Sequence, residues 1–284
     1  MIKRAMHTKT VRATVSTLAL FLVMLVAQPI TTARADLTLM PIRTVFSGHD
    51  HMKSLVVVNS GTKAATFRLS FYYQRQVLDG GYAAQGDKPL DPKYDVAKMI
   101  SYSPRQITLA PNATQVIRMS LRKPADLPDG EYRVHLKLER ISGGSIQSGI
   151  PIAKGATATM TINIGFSVPI IVRQGKYDAT ASIADPQLIA PKNRNPAELK
   201  FFLDRKGKFS TLGKVEVYWT PKGGTEKQVG LLNDVNVYAE TARRSVEVPL
   251  TENNISGGTF RIVYEGDDAD KDIKFDEKTF PVGG

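Results

Sequence analysis

The sequence predicts an all-β protein, and three observations carry that expectation. Apolar residues recur with period two in runs of strand length, turn-forming clusters separate the runs, and no segment holds a sustained apolar stripe of helical period. Short strands with regular turn punctuation argue an antiparallel sandwich or barrel. In chain order the clearest early strands are Ser54–Asn59, Thr66–Tyr73, Gln115–Leu121 and Tyr132–Leu138, the last with Tyr132, Val134, Leu136 and Leu138 on one face. They are broken at Asn59-Ser60-Gly61, Asp79-Gly80-Gly81, Ala110-Pro111-Asn112 and Pro128-Asp129-Gly130, all of them turn chemistry.

Between Ile150 and Ile170 the alternation is longer. Ten of the eleven even positions are apolar, Lys154 being the exception, while small and polar residues and prolines fill the odd ones. One reading is a single strand about twenty residues long, against the usual 3–10. Such a strand outlasts the core of its own domain, so part of its apolar face needs another surface. The other reading is two shorter core strands with a bend at Gly155 or Gly165. After Arg173–Tyr177 the composition shifts and Ala190–Pro196 is turn-rich. Strands resume at Glu198–Leu203, Gly213–Trp219, Ser245–Leu250 and Thr259–Tyr264. The expected organisation is two domains, residues 36–172 and 173–284, joined near residues 172–178.

Residues 1–35 read as a secretory signal peptide. They hold Lys3, Arg4, Lys9, Arg12 and Arg34 with no acid, then an apolar run from about Leu18 to Ala27, and close on Ala33-Arg34-Ala35. Removing them lowers the formal charge from +11 to +6, too little to argue nucleic acid as a partner. With no cysteine, disulfides, thiolate metal sites and cysteine nucleophiles are excluded, and a normal hydrophobic core has to carry the fold.

Catalytic and metal signatures are near-misses. His49-Asp50-His51 offers two imidazoles but no further ligands nearby, which reads as a solvated turn. His135 falls on the polar face of its strand and is expected to be exposed. Asp268, Asp270 and Asp272 have the spacing of a calcium loop, yet Ile273 and Thr279 stand where glycine and glutamate are required, so an acidic hairpin turn is expected. No nucleophile elbow, phosphate loop or acid–base dyad is present in the sequence, and the chain is read as a non-enzyme without cofactor or metal.

Several segments, in order, resemble the periplasmic chaperones of chaperone–usher pilus assembly. Leu39-Met-Pro-Ile-Arg-Thr-Val-Phe-Ser-Gly48 is similar to that family's first strand and its arginine. Ser54–Asn59, Tyr102-Ser-Pro-Arg-Gln-Ile-Thr-Leu-Ala-Pro111, Gln115-Val-Ile-Arg118 and Leu127-Pro-Asp-Gly-Glu-Tyr-Arg133 follow, and then the long alternating segment. The resemblance covers residues 37–172, and 175–284 resemble a second immunoglobulin-like domain loosely. It implies two immunoglobulin-like β-sandwiches in a boomerang arrangement, working in the periplasm on pilus or fimbrial subunits that lack their last strand. The chaperone lends its own strand, here Ile150–Ile164, and delivers the subunit to an outer-membrane usher; a self-capping homodimer is a further expected partner.

Strand donation works through backbone pairing, with alternate side chains filling pockets, and Ile150, Ile152, Ala158, Met160 and Ile162 are the candidates for that role. Ile164, Phe166 and Val168 are expected in the chain's own core. By the resemblance, Arg43 grips the subunit's C-terminal carboxylate. The family's second clamp cation, a lysine late in the long strand, falls at Asn163 or Gly165 here, so Arg105, Arg118 and Arg173 are the alternatives. The absent lysine and absent cysteine are closer to the family's non-classical branches. A rival reading is an exported fimbrial subunit or adhesin of β-sandwich type. A sandwich enzyme or carbohydrate-binding module would need clustered aromatics or paired carboxylates, and the single tryptophan, Trp219, sits on a core-like strand.

Overall fold

The computed structural model describes residues 37–282 apart from 87, 91–92, 143–145, 154–155, 163–164 and 193–194, and from 142 to 164 it describes only the course of the strands. The expected signal peptide, residues 1–35, lies outside the described residues. The first half contains β1 (Leu37–Met40), β2 (Thr44–Phe46), β3 (Met52–Asn59), β4 (Ala65–Gln76), β5 (Tyr82–Gly86), the single turn of helix α1 (Val96–Met99), β6 (Ile100–Ser103), β7 (Gln106–Leu109), β8 (Thr114–Leu121) and β9 (Gly130–Ser142). There follow β10 (Ile146–Ala153), β11 (Ala156–Ile162) and β12 (Gly165–Gln174). One sheet runs β1-β3-β8-β6 and its partner β2-β12-β9-β4-β5, with β7 also on β4. These are the A-B-E-D and C-F-G sheets of an immunoglobulin-like sandwich. Alternation explains the core: Leu55 and Val57 of β3, Ile117 and Met119 of β8, and Val134, Leu136 and Leu138 of β9 are buried between the sheets.

The second half contains β13 (Thr180–Ile189), β14 (Glu198–Lys206), β15 (Thr211–Thr220), β16 (Lys227–Val237), β17 (Arg243–Pro249), β18 (Gly258–Gly266) and β19 (Lys274–Val282), with a 3-10 turn at Asp268–Asp270. Its sheets are β13-β14-β17 and β16-β15-β18-β19, again an immunoglobulin-like order. Trp219, Phe201, Val217 and Phe260 are buried in this second core. The indole N–H of Trp219 donates to the Gly257 carbonyl at 3.0 Å, which satisfies its one polar atom. The all-β, two-sandwich expectation therefore holds.

Turn chemistry acts where expected. Asn59 is fully buried, and its side-chain amide donates to the carbonyls of Lys63, Leu109 and Ala110 while its oxygen accepts from the Gly61 N–H. One asparagine thus closes the β3–β4 turn and ties it to the loop before β8. Phe166 packs against the first core and Val168 lies within it, while Ile164 falls outside the described residues.

The long alternating segment departs from both expectations. β10 and β11 run antiparallel, with Ile146 opposite Ile162, Ser148 opposite Met160 and Ile150 opposite Ala158. The chain therefore doubles back between Ala153 and Ala156 and does not continue as one strand. Only from Gly165 onward does it join the first sandwich, as β12 paired to β9 from Glu139 to Gly130. A Gly at 155 and period-two alternation on both sides suit a ribbon as well as they suit one long strand. This is why periodicity alone could not separate the two.

Residues 37–284 form one compact unit, and its two sandwiches are joined by more than the linking segment. β4 outruns its sheet and, with β5, forms a hairpin that reaches the second sandwich. At its tip the Gln76 side chain stands in for a peptide group, donating to the Asn236 carbonyl and accepting from the Tyr238 N–H, both at 3.0 Å. The Ser245 N–H, on the edge strand β17, donates to the Leu78 carbonyl at 2.6 Å. Gly80, at φ +84°, lies under the Arg244 guanidinium, where a Cβ would approach to 2.3 Å.

Candidate functional site

Two features gather the residues singled out from the sequence: the cleft between the sandwiches and the β10–β11 ribbon. Arg43 reaches the cleft because the chain changes sheets there. β1 pairs with β3 in one sheet and β2 pairs in parallel with β12 in the other, so Pro41–Arg43 cross between the layers. The guanidinium is 4% exposed and is met by the second sandwich. Nη1 donates to Asp234 Oδ1 and Asn236 Oδ1, both at 2.5 Å, Nη2 to Asp267 Oδ1 at 2.6 Å and Nε to Asp268 Oδ2 at 3.1 Å. Burial disfavours its charge, but the three aspartates outweigh that and raise its pKa. For Asp267, burial leads and the neighbouring Asp234 and Asp268 add to it, so its pKa is raised despite the arginine. Three carboxylates around one cation leave the cluster with excess negative charge.

Arg173, at the end of β12, makes the second cross-link. It holds Asp270 through both terminal nitrogens, at 2.5 and 3.2 Å, and Nε donates to Glu131 at 3.1 Å. Asp270 is 2% exposed and also accepts from Tyr177 and from the Leu212 N–H. Burial works against the Arg173 charge, yet Asp270 and Glu131 outweigh it and the pKa is raised. Of the alternative cations, Arg105 is exposed beside the Tyr102 ring, and Arg118 is exposed on β8 opposite Ser54 and Ser103. Neither lies with Arg43.

The cation that lines the same cleft as Arg43 is Lys53. A cleft of about 300 Å³ is walled by Pro41, Arg43, Thr44, Lys53, Ser54 and Asp268, among others. Lys53 pairs with Asp50 at 2.9 Å, and Thr44 Oγ1 is buried without a hydrogen-bond partner among the described residues. Sequence reasoning missed Lys53, although a signal was present: it shares the parity of the buried Leu55 and Val57 on β3, an unusual place for a lysine. Asp234, Asn236 and Asp267 were missed as well. The sequence pattern marks Asp268 and Asp270 only as an acidic turn; they do lie in the β18–β19 turn, and there they hold Arg43 and Arg173.

His135 corrects an expectation. It is 2% exposed, since the β4–β5 hairpin covers that face of β9 and sets Tyr82 edge-on at 5.4 Å. Arg133 Nη1 lies 3.1 Å from His135 Nε2, and Arg133 also pairs with Glu240 and stacks on Tyr238 at 3.9 Å. Burial first and the Arg133 charge second push the imidazole down to about 3. His49 and His51 are exposed in the turn after β2, as expected.

The ribbon carries Ile150, Ile152, Ala158, Met160 and Ile162, whose side chains lie outside the described residues. From Ile146 to Pro151 its register sets even positions opposite even positions, so the alternation of the two strands coincides there, and the register shifts before Ala153. Among the described residues β10 and β11 pair only with each other, which leaves the two outer backbone edges of the ribbon without a strand partner.

No family model and no curated protein matches the chain. Among solved structures it is similar to the YadV chaperone at 8% identity, over 87% of this chain and 100% of that one, with a TM-score of 0.41. It is similar to the class 5 fimbriae chaperone CfaA at 13% identity, over 86% and 98%, with a TM-score of 0.43. A chain of the Salmonella enterica complex of SafA pilin with the SafB chaperone is similar at 15% identity, over 89% and 99%, with a TM-score of 0.41.

Proposed function

We propose that the chain is a non-enzymatic periplasmic chaperone of pilus assembly, exported by residues 1–35. It caps subunits that lack a strand by lending one of its own, and passes them to an outer-membrane usher. The observation that supports this reading is the β10–β11 ribbon, a two-stranded sheet that among the described residues pairs with neither sandwich and so has open backbone edges. An unpaired edge is a template for another chain's strand, and a partner missing a strand offers complementary backbone groups. Ile150, Ile152, Ala158, Met160 and Ile162 are the residues assigned to the partner's pockets. Each one buried is worth up to about 1.5–3 kcal/mol for the larger side chains before ordering costs. Residues 36–172 form the donor domain in this proposal and 173–284 the second domain, with Arg43 as the anchor for the subunit's terminal carboxylate.

Affinity capture from periplasmic extract tests strand donation. The wild-type chain is expected to retain a small exported β-rich protein, identified by mass spectrometry as lacking a final strand. A chain with Met160→Glu and Ile162→Glu is expected to lose it while keeping its thermal midpoint. Equal retention by both would end the strand-donor reading. Concentration-dependent fibres of the wild-type chain with no retained partner would favour a structural fimbrial subunit instead.

A further inference from the structure

We infer that Asp268 is a built-in stand-in for the partner's carboxylate, so that the Arg43 site is masked in the free chain and opens by exchange of one carboxylate for another. This rests on the anchor role proposed for Arg43 and adds its regulation. A guanidinium has five N–H donors, and here four are used, on Asp234, Asn236, Asp267 and Asp268. Nε and Nη2 form the edge that a single carboxylate chelates with both oxygens. In this structure that edge is divided between two carboxylates, Asp268 on Nε and Asp267 on Nη2, each through one contact. Nη2 keeps a second N–H, so Asp267 can stay bound while a newcomer takes Nε and the shared edge.

Asp268 is the member placed to leave. Its contact is the longest of the three ion pairs, 3.1 Å against 2.5 and 2.6 Å, and its side chain is 48% exposed, as open as Asp234 at 46% and more so than Asp267 at 27%. It is the aspartate of the three that lines the open cleft, beside Lys53 and the unpartnered Thr44 hydroxyl. Its backbone is held at φ +54°, a left-handed conformation that costs a non-glycine residue free energy and that Asp234 shares at φ +59°, so the length of the contact and the place in the cleft single out Asp268. Replacing Asp268 by an external carboxylate keeps the charge of the cluster unchanged, and Asp268 can then turn into solvent. The exchange favours a ligand that offers both oxygens over one that offers a single acceptor, so a free C-terminus is preferred to an amide or a neutral side chain.

The experiment uses the mature chain and two probes, acetyl-Gly-Gly-Tyr with a free carboxylate and the same peptide as its C-terminal amide. Binding is measured in every chain by isothermal titration calorimetry, and located by NMR at the Arg43 Nε–Hε signal, assigned by its absence in Arg43→Lys. Asp268→Asn is expected to tighten the acid by about tenfold, the scale of one charge-assisted contact, and to leave the amide unchanged. Asp268→Gly, which relieves the positive φ, is expected to do the same. If Asp268→Asn binds the acid only as the wild type does while Arg43→Lys loses the preference for acid, the masking inference is overturned and the anchor stands. If acid and amide behave alike in all the chains, or neither binds any of them, the anchor reading fails and the inference with it.

Discussion

The imidazole of His135 is neutral because of where β9 places it. Arg133 can only donate, so the nitrogen facing it, Nε2, accepts and the ring proton sits on Nδ1, which is buried without a partner among the described residues. A histidine with a depressed pKa binds fewer protons folded than unfolded between pH 6.5 and about 3, so it makes stability rise with pH across that window. At about 1.4 kcal/mol per unit, this one ring withdraws a few kcal/mol as the pH falls from 6.5 to 3. Urea midpoints measured at several pH values are expected to fall less steeply for His135→Leu than for the wild type. Parallel curves would mean that the ring is solvated. Its burial was invisible in the alternation, because what covers it is Tyr82 of β5, far away in sequence. The burial of Arg43 was hidden in the same way, since its partners lie on β16 and in the β18–β19 turn.

Most strands could be read from alternation and turn chemistry, since β3, β8, β9, β14, β15 and β18 each place one parity in a core. Strands with mixed faces were not legible: β16 carries bulges, and β19 has no fully buried residue. The ribbon was legible as alternation but not as a reversal, since a strand and a hairpin share period two. The β4–β5 hairpin was visible only as a turn at Asp79-Gly80-Gly81, whereas its tip acts as a strap between sandwiches. Gln76→Ala removes two buried hydrogen bonds and leaves the Asn236 carbonyl and Tyr238 N–H without that partner. A loss of about 1–3 kcal/mol in stability is expected, with a broader distribution of distances between spin labels placed on β8 and β19. An unchanged distribution would show that the ion pairs alone hold the two halves.

At the scale of the molecule, the halves share a charged seam with a small apolar patch in it, Ile171 against Leu212 and Tyr238. Arg173 and Asp270, both nearly fully buried, give that seam a buried ion pair. Removing one partner of such a pair leaves an uncompensated buried charge, typically at a cost of about 3–5 kcal/mol. Arg173→Met is therefore expected to separate the calorimetric unfolding of the two sandwiches, one cooperative transition in the wild type becoming two. A single transition in both proteins would place the coupling elsewhere along the seam.

The crossing that carries Arg43 from one sheet to the other also sets an order of events. A ribosome delivers this arginine early, yet its partner Asp268 lies 225 residues further along the chain. β2 likewise waits for β12 before it has a neighbour. Contacts of such span close late and slow a folding reaction. β1 finds β3 close by, but β2 and the arginine before it are finished late, and a polypeptide cut short before Asp234 keeps a cation meant for burial with none of its aspartates yet made.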